Sequence, residues 1–253
     1  MPSITYSEEN GIAVITIHNE PKRNAFSHAM TIDMGLRLKY ADDNPAIKCV
    51  IITGAGDLAF SSGHDLQEML AHREHAADPT LNEPFFLPAK MTTPTIAAIN
   101  GYAFAAGFIL ALSCDFRVCS TNASFSGPGA RIGLLPIGGQ LSRLPALMPR
   151  SIAHEMLVTC REMKADEAHR IGFSNRLVPK GQALAASIEM ASAITKNSSS
   201  VVRAIKQGLE IQLSAGVELA KEYEWNTGNR LQQEPDAEEG MRAFLEKRSP
   251  IFL

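Results

Sequence analysis

The stretch that decides the fold is residues 91–115, MTTPTIAAINGYAFAAGFILALSCD. Between Met91 and Cys114 it holds no Asp, Glu, Lys or Arg. By length alone it matches a bilayer-spanning helix, which takes about 20 apolar residues. Pro94, Asn100, Gly101 and Gly107 interrupt it, and a spanning helix has to satisfy its whole backbone internally. The interruptions divide the stretch into a buried strand over 95–99, a turn over 101–107 and a buried helix over 108–113. Asp115 follows at once, residues 115–119 return as a strand, and another short strand is expected at 124–126. This is the pattern of a buried core segment, so no membrane partner is expected.

Towards the N-terminus, residues 12–17 (IAVITI) form a β-branched strand. A polar loop follows between Pro21 and Ala25. Ser27 then caps a helix running to about Ala41, with Met30, Met34, Leu38 and Ala41 as its apolar stripe. Residues 49–53 (CVIIT) are a strand of the kind buried on both faces. A short hydrophobic element at Ala59 and Phe60 leads to the turn Ser61-Ser62-Gly63, with a helix opening at His64 or Asp65. The polar residues 72–84 show no periodicity and read as a mobile loop. Beyond residue 151 helical stripes take over, first Ile152, Met156 and Cys160, then Leu184, Ile188 and Ala191. Val202, Ile205 and Leu209 mark the next helix, and Met241, Phe244 and Leu245 the last. The expected class is α/β, with a body over 1–190 and a helical region over 191–253.

Composition removes several function classes. The chain has 253 residues, 45% of them hydrophobic, enough for a substantial core without metal or disulfide support. Its 24 basic and 27 acidic residues leave a net charge of −3 with no basic run, so no nucleic-acid partner is expected. Cys49, Cys114, Cys119 and Cys160 show no CxxC spacing and lie in or beside apolar runs. They read as buried thiols of a reducing compartment, hence a cytoplasmic location. The polar N-terminus carries no secretory signal pattern.

Three patterns invite a chemical reading. Residues 54–59 (GAGDLA) fit a dinucleotide-binding turn after an apolar strand, but no helix opens there and a plain strand-end turn is expected. Glu68, His72 and His75 fall on nearly one helical face without a fourth ligand, so a solvated face is expected and no metal. No GxSxG nucleophile elbow is present. The third pattern is a pair: Ser62-Gly63-His64-Asp65-Leu66 and Ala105-Ala106-Gly107-Phe108 each place small residues just before a helix start. A helix N-terminus offers unpaired N–H groups, and two such turns facing one point would stabilise an enolate-like oxygen. Small residues at turns also simply permit close packing.

Several ordered blocks together resemble the crotonase (enoyl-CoA hydratase/isomerase) superfamily. They are 18–25 (HNEPKRNA), 50–54 (VIITG), 59–66 (AFSSGHDL), 96–115 (IAAINGYAFAAGFILALSCD), 132–136 (IGLLP) and 240–248 (GMRAFLEKR). Through NGYAF and the following 116–125 (FRVCSTNASF), the nearest resemblance is to the carnitinyl-CoA dehydratase-like branch. The resemblance implies a ββα spiral with a C-terminal helical region, assembled as a homotrimer or hexamer. It implies lyase or isomerase chemistry on acyl-CoA thioesters, with coenzyme A entering as part of the substrate and no separate cofactor. By motif match, the backbone N–H groups of His64 and Ala106 form the oxyanion hole. Lys22 and Ala25, then Asp65, Leu66 and Gln67, match segments that run past the CoA. Phe244 and Lys247 match a tail that reaches a neighbouring subunit's CoA.

The same match shows where this sequence departs from the family. Hydratases of the family use two glutamates as general acid and base, and some isomerases place an acid after a later proline. Those positions here are Ile109, Gly129 and Ile137, none of which can exchange a proton. Losing both glutamates removes several kcal/mol of transition-state stabilisation, so ordinary two-glutamate hydration is expected to be slow or absent. Three readings follow. Another group, among Asp65, the His64 side chain, Glu68, Tyr102, Arg131 and Gln140, moves the proton. Alternatively the reaction needs mainly the oxyanion hole, as in decarboxylation. In the third reading the protein binds acyl-CoA without turnover or serves as a scaffold.

Overall fold

The computed structural model describes residues 1–72 and 78–252. Two sheets organise the chain. The larger has six strands in the order β1 (Ser3–Glu9), β2 (Ile12–His18), β3 (Cys49–Gly54), β5 (Thr95–Ile99), β7 (Phe116–Ser120) and β10 (Arg176–Val178). Only the β1–β2 pair in it is antiparallel. The smaller sheet runs β4 (Ala59–Ser61), β6 (Tyr102–Phe104), β8 (Ser124–Ser126) and β9 (Met163–Lys164), with β9 antiparallel to β8.

The connections make a spiral. Each turn lays one strand in the large sheet, bends, lays one in the small sheet, and then crosses back. In the first turn β3 and β4 lead to α2 (Leu66–Ala71) and α3 (Pro79–Lys90); in the second, β5 and β6 lead to α4 (Ala106–Ser113). In the third, β7 and β8 lead to a 3₁₀ turn at Pro128–Ile132. The bends need glycine, because a β-carbon at Gly54 would lie 2.3 Å from the Ala59 carbonyl oxygen and one at Gly101 2.1 Å from that of Leu58. This is the ββα spiral expected from the resemblance.

The core explains why the strands of the large sheet are apolar throughout. Along β3, Val50 and Ile52 face one core while Cys49 and Ile51 face another; along β5, Ala97 and Ile99 divide from Ile96 and Ala98 in the same way. The two-residue strand period sends alternate side chains to opposite faces, so a strand covered on both sides must be apolar at every position. Each such Val or Ile contributes about 1.5–3 kcal/mol by leaving water. α1 (His28–Asp43), α3 and α4 cover one face. The other is covered by α8 (Ala183–Ile194), which crosses residue 190 and buries Ala183 and Ala191 against Ile51, Ile96 and Val118. α5 (Leu144–Leu147), α6 (Arg150–Thr159) and α7 (Ala165–Arg170) extend the first face, and α9 (Ser199–Ala215), α10 (Val217–Leu231) and α11 (Pro235–Glu246) complete the chain.

Residues 91–115 divide into β5, β6 and α4, and among the described residues no helix is long and apolar enough to cross a membrane. Ser27 caps α1 by accepting from the Met30 N–H, and Met30, Met34, Leu38 and Ala41 are all buried. Two local expectations are corrected. Residues 102–104 are a strand, because the sheet edge of β4 recruits them in spite of the flanking glycines. Of the polar stretch expected to be a loop over 72–84, residues 79–84 belong to α3, where Asp78 caps the helix by accepting from the Thr80 N–H, and 73–77 lie outside the described residues. Pro84 and Pro88 sit inside α3 and hide it from a helix-propensity reading. All four cysteines are buried and free.

Candidate active site

The site begins with two asparagines. Asn24 donates from Nδ2 to the carbonyls of Ala55 (3.0 Å) and Ala59 (2.7 Å), and Asn100 donates to those of Gly56 (2.6 Å) and Ala59 (3.0 Å). They clamp the loop between β3 and β4. Ser61 continues the chain of contacts: its hydroxyl donates to the Asn24 carbonyl (2.8 Å) and accepts from the Gly63 N–H (3.1 Å). Gly63 has φ +98°, a conformation that glycine adopts without strain.

The next residue is His64, which forms a parallel bridge with Phe26. Phe26 N–H donates to Gly63 O (2.8 Å) and Asp65 N–H to Phe26 O (2.8 Å). Successive N–H groups of an extended segment point to opposite sides, so the His64 N–H faces away from Phe26. The other donor comes from the second spiral turn. Ala105 N–H donates to Ser126 O (3.0 Å), and Ala105 itself is held at φ +49°, ψ −120°, uncommon for a residue with a β-carbon. Ala106 then opens α4, where the first N–H groups have no partner in the helix. A β-carbon added to Gly63 would sit 2.9 Å from both the Ala105 methyl carbon and the Ala106 nitrogen. The two segments are therefore side by side, and His64 and Ala106 line one cavity of about 580 Å³.

The rest of the lining is mostly hydrocarbon. Phe85 and Phe86 come from α3, and Ile132, Leu134, Leu135 and Pro136 from the chain after β8. Ile109, Gly129 and Ile137, the positions that the resemblance assigns to the family's acids, all line the same cavity. Asp65 and Leu66 line it too. Asp65 caps α2 by accepting from the Gln67 N–H (3.0 Å) and pairs with Lys22 at 2.5 Å. The Lys22 ammonium and the backbone N–H donors hold the Asp65 carboxyl below its ordinary range. Lys22 also reaches the Gln67 side chain at 3.5 Å, so these two residues stand outside the cavity and meet it through Asp65. Ala25 is buried, and its carbonyl accepts from Asn19 Nδ2 (2.8 Å). Phe244, 83% exposed, and Lys247, the left-handed cap of α11, lie outside this cavity.

Other groups have structural duties. Glu68 accepts from the His28 N–H (2.8 Å) at the start of α1. Among the described residues no cluster of three or more His, Cys, Asp or Glu is arranged to hold a metal, and His75 lies outside those residues. Gly54 ends β3 and leads through a turn into β4, with no helix opening there. Burial pushes the thiols of Cys49 and Cys114 up to about 12 and that of Cys119 to about 11, so none is a thiolate at neutral pH. Tyr102 packs its ring 5.3 Å from that of Phe104, and Arg131 donates to the Cys160 carbonyl (3.3 Å); neither lines the cavity. Sequence reasoning passed over His28, Phe85 and Phe86 as lining residues, since no local signal marks side chains that meet only through long-range packing.

A sheet spiral thus sets two such segments around one apolar cavity, and comparison with known proteins says which family builds this arrangement. The sequence model of the enoyl-CoA hydratase/isomerase family matches residues 7–253, and the chain belongs to that family. Within it the chain falls in the carnitinyl-CoA dehydratase-like branch. It is 36% identical to the carnitinyl-CoA dehydratase of Citrobacter koseri over 262 aligned positions, covering 99% of this chain and 98% of that one. It is 37% identical to that of Proteus mirabilis, covering 95% and 94%. Among solved structures, the enoyl-CoA hydratase of Bacillus anthracis superposes with a TM-score of 0.94 at 28% identity, covering 99% and 98%. That of Mycobacterium tuberculosis gives 0.92 at 30% identity, covering 100% and 99%.

Proposed function

We propose that this protein binds acyl-CoA thioesters and stabilises a thioester enolate with the backbone N–H groups of His64 and Ala106. One observation carries the reading: segments from two different spiral turns are held side by side, with both residues lining one apolar cavity. Preorganised N–H donors in such a cavity act where charge develops on the carbonyl oxygen, and they need no reorganisation during the reaction. The role belongs to the backbone, so histidine at one position and alanine at the other are both compatible with it. Lys22, Gln67, Leu66 and Asp65 flank the cavity where the CoA portion would pass, Ala25 supports that loop, and no separate cofactor is needed.

The reaction is an enolate chemistry other than two-carboxylate hydration. Ile109, Gly129 and Ile137 give the cavity hydrocarbon or no side chain where family hydratases hold their acids. Each general acid or base is worth about 10²–10⁴-fold, or about 3–5 kcal/mol, so crotonyl-CoA hydration by that route is largely lost. The same apolar lining favours decarboxylation of an acyl-CoA as the second reading, since loss of CO₂ reaches the enolate without a base. A homotrimer or hexamer is the proposed assembly, supported by the exposed Met241, Phe244 and Leu245 on α11. The buried free cysteines support a cytoplasmic setting.

Calorimetry with acetyl-CoA, butyryl-CoA and free CoA tests the binding claim. Binding of the acyl-CoAs more tightly than free CoA is expected, and no heat from any acyl-CoA at millimolar ligand would overturn it. Sedimentation is expected to show a species three or six times the 27.4 kDa chain, and a clean monomer would contradict the assembly.

A further inference from the structure

With the family carboxylates replaced, the cavity still contains titratable side chains. Among the described residues, four line it: His28, His64, Asp65 and Glu68. Three of these are accounted for by their surroundings. The Asp65 carboxylate accepts from the Gln67 N–H and pairs with Lys22. The Glu68 carboxylate accepts from the His28 N–H at the first turn of α1 and is itself exposed. His28 stands exposed at the same helix end.

His64 differs from all three. Its side chain is largely withdrawn from solvent, its ring stands edge-on to that of Phe85 with centroids 4.8 Å apart, and it makes no hydrogen bond to any described residue. An imidazole in an apolar cavity with neither ring nitrogen bonded to a described residue has both available to a ligand. Its position is equally specific, because the backbone N–H of this same residue is one of the two donors proposed to grip the thioester carbonyl. The ring packs on Phe85, which lines the same cavity, so side chain and backbone donor belong to one space. The α-carbon next to the gripped carbonyl is the substrate atom that exchanges a proton.

We propose that the His64 imidazole is the proton-transfer group of this site, taking over on the oxyanion-hole residue itself the work that Ile109 and Gly129 cannot do. The inference rests on the acyl-CoA reading above and applies to acyl-CoAs that carry an α-hydrogen. In the step, a neutral imidazole nitrogen takes the α-proton. The C–H bond breaks, and its electron pair moves through the α-carbon to the carbonyl oxygen, where the His64 and Ala106 N–H groups hold the enolate. Reprotonation of the α-carbon by the imidazolium completes the cycle, and in D₂O the returning nucleus is a deuteron. Burial supports this, since desolvation lowers the imidazole pKa and keeps the basic, neutral form populated at neutral pH. Phe85 and Leu81 on α3 present only hydrocarbon to the cavity, so the charged groups able to perturb the ring are Asp65, Glu68 and His28.

The experiment compares the wild-type protein with His64→Gln, which keeps the backbone N–H and a similar side-chain volume. Butyryl-CoA binding is read by calorimetry, and α-hydrogen exchange in D₂O by NMR. The expected result is affinity within about threefold of wild type with exchange reduced by about 10²–10⁴-fold. The wild-type rate should rise with pH below the ordinary imidazole value of 6.5 and level off above it, as the neutral form becomes fully populated. That limb should be missing in the variant. Equal exchange in the two proteins overturns the assignment while leaving the acyl-CoA reading intact, as does a wild type that binds butyryl-CoA without exchanging it. A wild type that binds no acyl-CoA overturns the acyl-CoA reading itself. If the variant fails to fold, the wild-type profile decides: a rate that does not fall as pH is lowered from about 8 to the acid limit of the folded protein contradicts the proposal.

Discussion

Two parts of the cavity lining contrast in what they offer a substrate. The part made by His64 and Ala106 presents backbone N–H groups, on segments held by a hydrogen-bonded frame from Asn24 through Ser61 to Gly63. The part made by Ile109, Gly129 and Ile137 offers hydrocarbon. The first depends on where the chain runs, so it tolerates a change of side chain so long as the turns keep their shape. The second depends on which side chain is present, and a single replacement abolishes a proton-transfer function. A family fold can therefore keep its means of stabilising an enolate while its means of moving protons changes, because the two live at different levels of structure.

The largest expected effect breaks the backbone part. In Gly63→Ala the new methyl would meet the Ala105 methyl carbon and the Ala106 nitrogen at 2.9 Å, on a residue whose φ of +98° already disfavours alanine. The two donors must separate, and a misplacement near 1 Å is worth about 100-fold in rate. Enolate-dependent activity is expected to fall by about that factor, measured as α-hydrogen exchange. Retention of wild-type exchange would show that the donors are not set by this contact.

The side-chain part is tested through stability rather than rate. Ile109 is 7% exposed, and its side chain adjoins Gly138, which also touches Phe86. Ile109→Glu buries a carboxyl without a partner, raises its pKa, and should lower stability at pH 7 by about 2–5 kcal/mol. The folded state then holds its proton to higher pH than the unfolded chain, so stability falls as pH rises above about 4.3, the unfolded glutamate value. Denaturant titrations at pH 4 and 7 should show the deficit shrinking at the lower pH. A deficit equal at both would mean that the carboxyl finds water or a partner in the cavity.

Asp65 sharpens the contrast from the side, since it lines the cavity yet serves as a cap. Its folded pKa is depressed chiefly by Lys22, so its share of stability is present above the unfolded value and disappears as pH falls through the folded one. Lys22→Met should move the Asp65 titration upward, towards about 3.9, as followed by carboxyl NMR. An unmoved titration would assign the depression to the helix cap alone.

The contrast was only partly legible in the amino-acid order. β3 and β5 were readable because burial on both faces forces a continuous apolar run, and α1 because Ser27 and its stripe are local signals. α3 was not, since Pro84 and Pro88 inside it contradict helix propensity and packing overrides them. β6 reads as a turn in the sequence because its pairing with β4 and β8 is long-range. For the site, small residues before two helix starts were visible, but their meeting at one cavity was legible only through family resemblance. Sequence spacing says nothing about which turns of a spiral face each other.

The smallest expected effect concerns Ala105, the residue that turns the chain into α4. Its φ of +49° costs an alanine strain that a glycine would not have. Ala105→Gly should raise stability by about 1 kcal/mol, or Tm by about 2–4 °C, in a thermal melt. No gain would mean that the methyl's packing beside Gly63 offsets the strain.

The most direct measurement is the infrared spectrum of butyryl-CoA labelled with ¹³C at the thioester carbonyl, bound to the wild-type protein. Two N–H donors aimed at that oxygen weaken the C=O bond, so the labelled stretch should shift to lower frequency than in water, and Gly63→Ala should reverse much of the shift. A bound thioester with the same carbonyl frequency as in water would contradict the oxyanion hole and the account built on it.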